Sequence, residues 1–280
     1  MKKQLKIVGK HMLLALLAFI WLIPIVWLLV TSFSSYKGIN TMHFFPQRWS
    51  LDNYMQLFFR PDTVANFPAW FRNSLIIGAA TCVISTLFVL MVAYAMSCMR
   101  FPARKQLMSI AIILGMFPGV LSMIAIYFVM KLLGLTDSMA GLIIIYSAGS
   151  GLGYLICKGF FDTIPVSLRE SAKLEGASEL SILVKIVIPL SKPIVVYTVI
   201  NAFLNPWMDF VMAKLMIRSK NPADWTVAMG LYNLVQRTLV GDYFSVFCAG
   251  GVIVAIPISI LFIIMQKFYV EGITGGAVKG

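Results

Sequence analysis

The sequence is poor in charge. Only 12% of its 280 residues are Asp, Glu, Lys or Arg, about half the roughly 25% usual in globular proteins. A soluble domain of this length needs more polar surface, and a disordered chain carries far fewer apolar residues than the 60% found here. Acidic residues are the scarcer sign, 11 against 23 Lys plus Arg. A nucleic-acid binder gathers such a surplus on a solvated face, whereas these basic residues stand between long neutral stretches. Cys82, Cys98, Cys157 and Cys248 share no CxxC spacing and lie in or at the ends of apolar runs. They read as small core hydrophobes, with no disulfide framework expected. His11 and His43 are far apart, and no Walker A stretch, HExxH or nucleophile elbow occurs. No metal, no cofactor and no covalent chemistry of the chain's own are therefore expected.

What the chain has in quantity is uninterrupted apolar sequence. A helix rises ~1.5 Å per residue and the hydrocarbon core is ~30 Å thick, so roughly 20 apolar residues make one crossing. Runs free of Asp, Glu, Lys and Arg extend over 11–36, 73–99, 106–130, 138–157, 193–208 and 243–266. The fifth is interrupted by Asp209 and resumes through Ala213. The reading is an all-α integral membrane protein, one transmembrane domain over 1–280, with six spans at about 12–35, 73–98, 107–130, 138–158, 193–213 and 243–266. The first run follows four lysines as a signal peptide would, but its apolar core is too long and Ser32-Phe33-Ser34 comes only after a full crossing. It is expected to be retained.

Placing both termini in the cytoplasm puts 14 of the 23 basic residues on that side, the direction the positive-inside rule demands. Residues 37–72 then lie outside, with Phe44, Phe45, Trp49, Phe58, Phe59, Phe67, Trp70 and Phe71 suited to the membrane interface. A second external loop covers 214–242. The one long cytoplasmic loop is 159–192.

That loop carries the most specific signal. Pro165 suits the approach to a helix, Ser167 and Glu170 have capping-box spacing, and Gly176 is a natural helix stop. A second helix is expected from near Ser178 to the membrane around Pro189. Two short helices joined at a glycine make a cytoplasmic knob suited to docking. Glu170, one residue, Ala172, three residues, Gly176, nine residues, Ile186, then Ile188 and Pro189 together resemble the EAA loop of binding-protein-dependent ABC importer permeases. Ser171 stands where that family usually has alanine and Ile188 where it has leucine, both small changes in volume. Leu51-Asp52-Asn53-Tyr54, Asn73-Ser74 and the ending from Gln266 to Gly280 are similar to the carbohydrate branch, and the carboxyl end to the second permease of maltose/maltodextrin importers.

The resemblance implies a bacterial cell-membrane permease subunit that forms half of an oligosaccharide pathway, maltodextrin being the substrate suggested. It implies a second permease subunit, two ATPase subunits that hydrolyse the ATP, and an external sugar-binding protein. Glu170, Ser171, Ala172, Gly176, Ile186, Ile188 and Pro189 become ATPase-coupling residues, with the tail through Gly275, Gly276 and Gly280 near the same interface. External residues 218–237 become a candidate contact for the binding protein.

Within the spans, Pro24, Pro118, Pro206 and Pro257 interrupt apolar runs and free backbone groups. Asn201, Asn205, Trp207 and Asp209 cluster in the fifth run. Polar and aromatic groups at membrane depth suit a sugar pathway, so these four are its candidate lining. The small residues from Ser147 to Gly153 lack the spacing of a nucleotide loop and read as a helix-packing stretch. An ATP-independent secondary transporter or channel is the alternative, but it would favour internal repeats and several buried charges, and only Asp209 lies at depth. A membrane enzyme would need paired catalytic groups that the sequence does not supply.

Overall fold

The structure, a computed structural model, describes the backbone of residues 2–39, 43–59, 64–148 and 153–277, and side chains within 7–267 of that set. Among these residues the fold is all helical, apart from one isolated bridge between Ser34 and Trp49. Three helices are long and apolar enough to cross a membrane unaided: α1 (Lys2–Ser32), α3 (Phe67–Cys98) and α14 (Val240–Ala277). The amphipathic α2 (Asp52–Phe59) precedes α3.

Three further candidate spans are bent helix pairs. The helix α4 (Arg104–Gly115) meets α5 (Gly119–Leu132) at 106°. Pro118 stands at the break as the residue capping α5, where its missing N–H costs no helical bond. Next come α6 (Met139–Ala148) and α7 (Gly153–Phe161). Gly149, Ser150 and Gly151 of the small-residue stretch lie outside the described residues. After α8 (Val166–Leu174), the segment Glu179–Leu190 meets Lys192–Met208 at 92°. The first arm of that pair comprises α9 (Glu179–Ile182), a π-helical turn over Leu183–Val187 and α10 (Ile188–Leu190); the second is α11. Short helices α12 (Val211–Met216) and α13 (Val227–Leu234) lead to α14. Counting each bent pair as one span gives up to six by length and composition, with the arm Glu179–Leu190 of the third pair falling in the loop 159–192 and the arm Lys192–Met208 in the fifth apolar run. Pro24, Pro206 and Pro257 sit inside α1, α11 and α14, so of these four prolines it is Pro118 that marks a full break.

The helix α3 is central, packing against α11, α7, α6 and α13. Its partners approach closely because lipid supplies no hydrophobic drive between helices, and contact depends on small residues. At Gly78 a Cβ would lie 2.8 Å from the indole Nε1 of Trp207, so the glycine admits the Trp207 ring between α11 and α3. Most apolar side chains of α1, α4 and α5 face outward, and α4 buries none of its residues. That polarity inversion is what a lipid environment or a further membrane subunit requires.

The connecting loops collect at two opposite ends. At one end the first turns of α3 hold residues 222–227: Trp70 Nε1 donates to Pro222 O at 2.7 Å, and Asn73 Nδ2 donates to Ala223 O and Trp225 O at 2.8 and 3.0 Å. Trp70 stacks on Trp225 with centroids 6.3 Å apart. The expectation of an interfacial aromatic segment therefore divides: Phe45, Trp49 and Phe59 are exposed, whereas Phe67 and Trp70 are wholly buried. Their burial follows from the loop that folds over them, which the local sequence does not reveal.

Candidate functional site

The knob at the opposite end begins at Pro165, which occupies the N-cap of α8 and makes no side-chain cap. Ser167 is thereby the second helical residue, and the expected capping box with Glu170 is not formed. The helix stops as the glycine requires. Gly176 has φ +82° with open space about its Cα, so backbone conformation rather than crowding demands glycine. Gly176 N donates to Lys173 O at 3.0 Å and Ala177 N to Ala172 O at 2.9 Å, the paired bonds of a Schellman stop. Ser178 then caps α9, its hydroxyl accepting from Ser181 N at 3.2 Å.

The seven candidate coupling residues divide into two sets. Ala172 is buried, and Ile186 and Ile188 are half-buried, all against a cluster that includes Leu90, Tyr94, Phe161, Ile182 and Val187. Glu170, Ser171, Gly176 and Pro189 are exposed. One face of α8 is thus seated and the other is free. The free face carries Leu174, 90% exposed, one turn beyond Glu170. Spacing i, i+4 from Glu170 was the available signal for Leu174, since such residues share a helix face.

Carboxylates tie the knob to α3. Tyr94 Oη donates to Glu179 Oε2 at 2.5 Å, and Lys173 Nζ pairs with Glu179 Oε1 at 2.5 Å. Ser97 Oγ donates to Asp162 Oδ1 at 2.6 Å, with Lys158 on the other oxygen at 2.5 Å. The Lys173 and Tyr94 hydrogen bonds hold the Glu179 carboxyl below its ordinary range. Burial pushes Asp162 upward, but hydrogen bonds from Lys158 and Ser97 leave it below that range. Between α8 and the carboxyl-terminal end of α3 opens a cleft of about 570 Å³ edged by Arg100, Arg104, Arg169, Glu170 and Lys173.

A second cleft, about 500 Å³, lies among the helices and includes Ser85, Tyr146, Tyr197, Thr198, Asn201 and Asn205 in its lining. Asn201 and Asn205 are one turn apart on α11 and both are exposed. Trp207 is 3% exposed, packed by Phe71, Phe203 and Gly78. Asp209 accepts from Tyr146 Oη at 2.8 Å and Met212 N at 3.1 Å. Of the four fifth-run candidates, two face open volume and two are committed to internal partners. Among the described residues no group of three His, Cys, Asp or Glu side chains could hold a metal ion.

Comparison with known proteins finds relatives along most of the chain. Residues 91–274 match the family described as binding-protein-dependent transport system inner membrane component. The galactooligosaccharides transport system permease protein GanQ of Bacillus subtilis (strain 168) is 33% identical, over 100% of this chain and 98% of that protein. The maltodextrin transport system permease protein MdxG of the same strain is 31% identical, covering 99% of this chain and 98% of that one. A crystal structure of a bacterial ABC transporter that imports the acidic polysaccharide alginate contains a similar chain, with TM-score 0.78 at 24% identity, covering 95% of this chain and 97% of that one. That likeness speaks to the fold.

Proposed function

The chain belongs to the binding-protein-dependent transport system inner membrane components, and from that membership we propose that it is a carbohydrate importer's permease subunit, driven through the knob at 159–192. It is a multi-pass inner-membrane transport subunit rather than an enzyme. With both termini in the cytoplasm, the knob faces the cytosol and residues 217–227 face outward. Two ATPase subunits close on ATP, α8 moves with them, and rigid-body motion of the spans turns the pathway from one side to the other. A second permease subunit supplies the other half, and an external binding protein delivers the sugar.

The observation that carries this reading is the two-faced α8. Ala172 anchors it while Glu170, Ser171 and Leu174 stand free beside a glycine stop. Val166, Leu168 and Leu174 of α8 and Leu180 of α9 are all exposed, and repeated apolar exposure on one knob suits docking. Gly176→Asp or Glu170→Lys should abolish co-purification of the ATPase subunits and sugar-stimulated ATP hydrolysis while the spans still insert. Wild-type values for both would discredit the assignment.

The substrate proposed is a neutral oligosaccharide. Ser85, Tyr197, Thr198, Asn201 and Asn205 share the lining of the second cleft with Val89, Ile156, Leu204 and Met208, a mix of polar groups and apolar surface suited to a sugar's hydroxyls and faces, and without an Arg or Lys for an acidic one. Maltodextrin is the first saccharide to test, in view of MdxG, with galactooligosaccharide beside it in view of GanQ. The purified assembly should hydrolyse ATP faster with its loaded binding protein, and the stimulating saccharide identifies the cargo.

A further inference from the structure

We infer that α3 is a connecting rod, hydrogen-bonded at its outer end to residues 222–227 and at its inner end to the knob, so that events outside reach the ATPase contact through it. This rests on the importer reading above. The rod has 32 residues, about 48 Å at ~1.5 Å per residue, longer than the ~30 Å hydrocarbon core. Its one proline, Pro68, lies in the first turn, so nothing of that kind kinks it within the membrane.

Each end is gripped by side chains of the rod itself. Outside, Trp70 and Asn73 donate to the backbone carbonyls of 222, 223 and 225, and Ser74 Oγ accepts from Val227 N at 2.8 Å. Inside, Tyr94 and Ser97, three residues apart and so on one helix face, donate to Glu179 and Asp162 at 2.5 and 2.6 Å. Glu179 also holds Lys173 of α8. The chain of contacts therefore runs from residues 222–227, along α3, through Tyr94 and Glu179, to the helix bearing Glu170. Tyr94, Ser97, Asp162 and Glu179 are positioning residues: they touch no substrate in this scheme and set where α8 stands.

The test uses the complete importer in vesicles, read as the ratio of ATP hydrolysis with loaded binding protein to hydrolysis without it. Tyr94→Phe combined with Ser97→Ala should lower that ratio by about tenfold, within the usual span of coupling between sites, with ATPase subunits still bound. Glu179→Ala should do the same, and Glu179→Gln, which keeps an acceptor for Tyr94, should restore it. Asn73→Ala should lower the ratio from the outer end, and adding it to the inner variants should cost nothing more, because links in series fail once.

An unchanged ratio in the inner variants, or losses that multiply with Asn73→Ala, would overturn the rod. Ser97→Ala alone, at a half-buried hydroxyl, keeps the question open to refutation should Tyr94→Phe fail to assemble. Wild-type assemblies without any ATP-driven uptake would instead sink the importer reading itself.

Discussion

Gly176 and Gly230 are glycines for opposite reasons, and single substitutions should separate them. A Cβ at Gly230 would meet the Trp70 ring at 2.1 Å, and Trp70 is fully buried. Gly230→Ala should therefore lower stability by ~1–3 kcal/mol through overpacking and free residues 222–227, seen as a lower Tm and faster proteolysis there. Gly176→Ala meets no atom, and its cost of ~1–2 kcal/mol comes from the left-handed backbone alone; Gly176→Asn, which tolerates that region, should recover much of it. Glu179 supplies a pH signature at the same scale. Its folded pKa is lowered, so its contribution is present above the ordinary carboxylate pKa, roughly 4.3. That contribution is lost as pH falls through the depressed value. The Tm gap between wild type and Glu179→Gln should be full at neutral pH and close below about pH 4. A gap independent of pH would remove the carboxylate from the account.

Elements show how far sequence carries and where contact takes over. Asp137, in the turn between α5 and α6, has φ +55° and accepts Arg218 N and Ser219 N at 2.5 and 3.1 Å, tying two connections together. Asp137→Ala should cost ~1–2 kcal/mol by strain and lost bonds, whereas Asp137→Asn, which keeps an acceptor and suits positive φ, should melt close to wild type. Equal loss from both would argue against the tie. The helical character and the stop at Gly176 were legible because they depend on local composition and one backbone angle. The capping box at Ser167 was misread because Pro165 claims the cap two positions earlier than the spacing suggests. The 106° break at Pro118 was visible only as a proline in an apolar run, since kink and break read alike. Tyr94 and Ser97 escaped notice because they are polar minorities whose partners lie 85 and 65 residues away. Trp207, taken as a pathway residue, belongs to helix packing because distant Gly78 makes room for it.

For the whole molecule, the arrangement of loops makes a prediction that charge counting alone could not. The end holding residues 217–227 and the end holding α8 are the opposite ends of α3, so any crossing of the bilayer by α3 puts them on opposite sides. The basic surplus, 14 of 23 residues on the side of the knob, then selects the cytosol for α8. In a background with Cys98 replaced by alanine, Lys220→Cys should react with a membrane-impermeant maleimide in intact cells, or in spheroplasts if an outer membrane intervenes, and Leu174→Cys should not. Both positions are exposed, so silence cannot be ascribed to burial within this chain. In inverted vesicles stripped of ATPase subunits the pattern should reverse. Adding those subunits back should protect Leu174→Cys, because docking covers the free face of α8. Labelling of both sites from one side would break the six-span arrangement, and undiminished labelling of Leu174→Cys in the full assembly would break the docking assignment while leaving the topology intact.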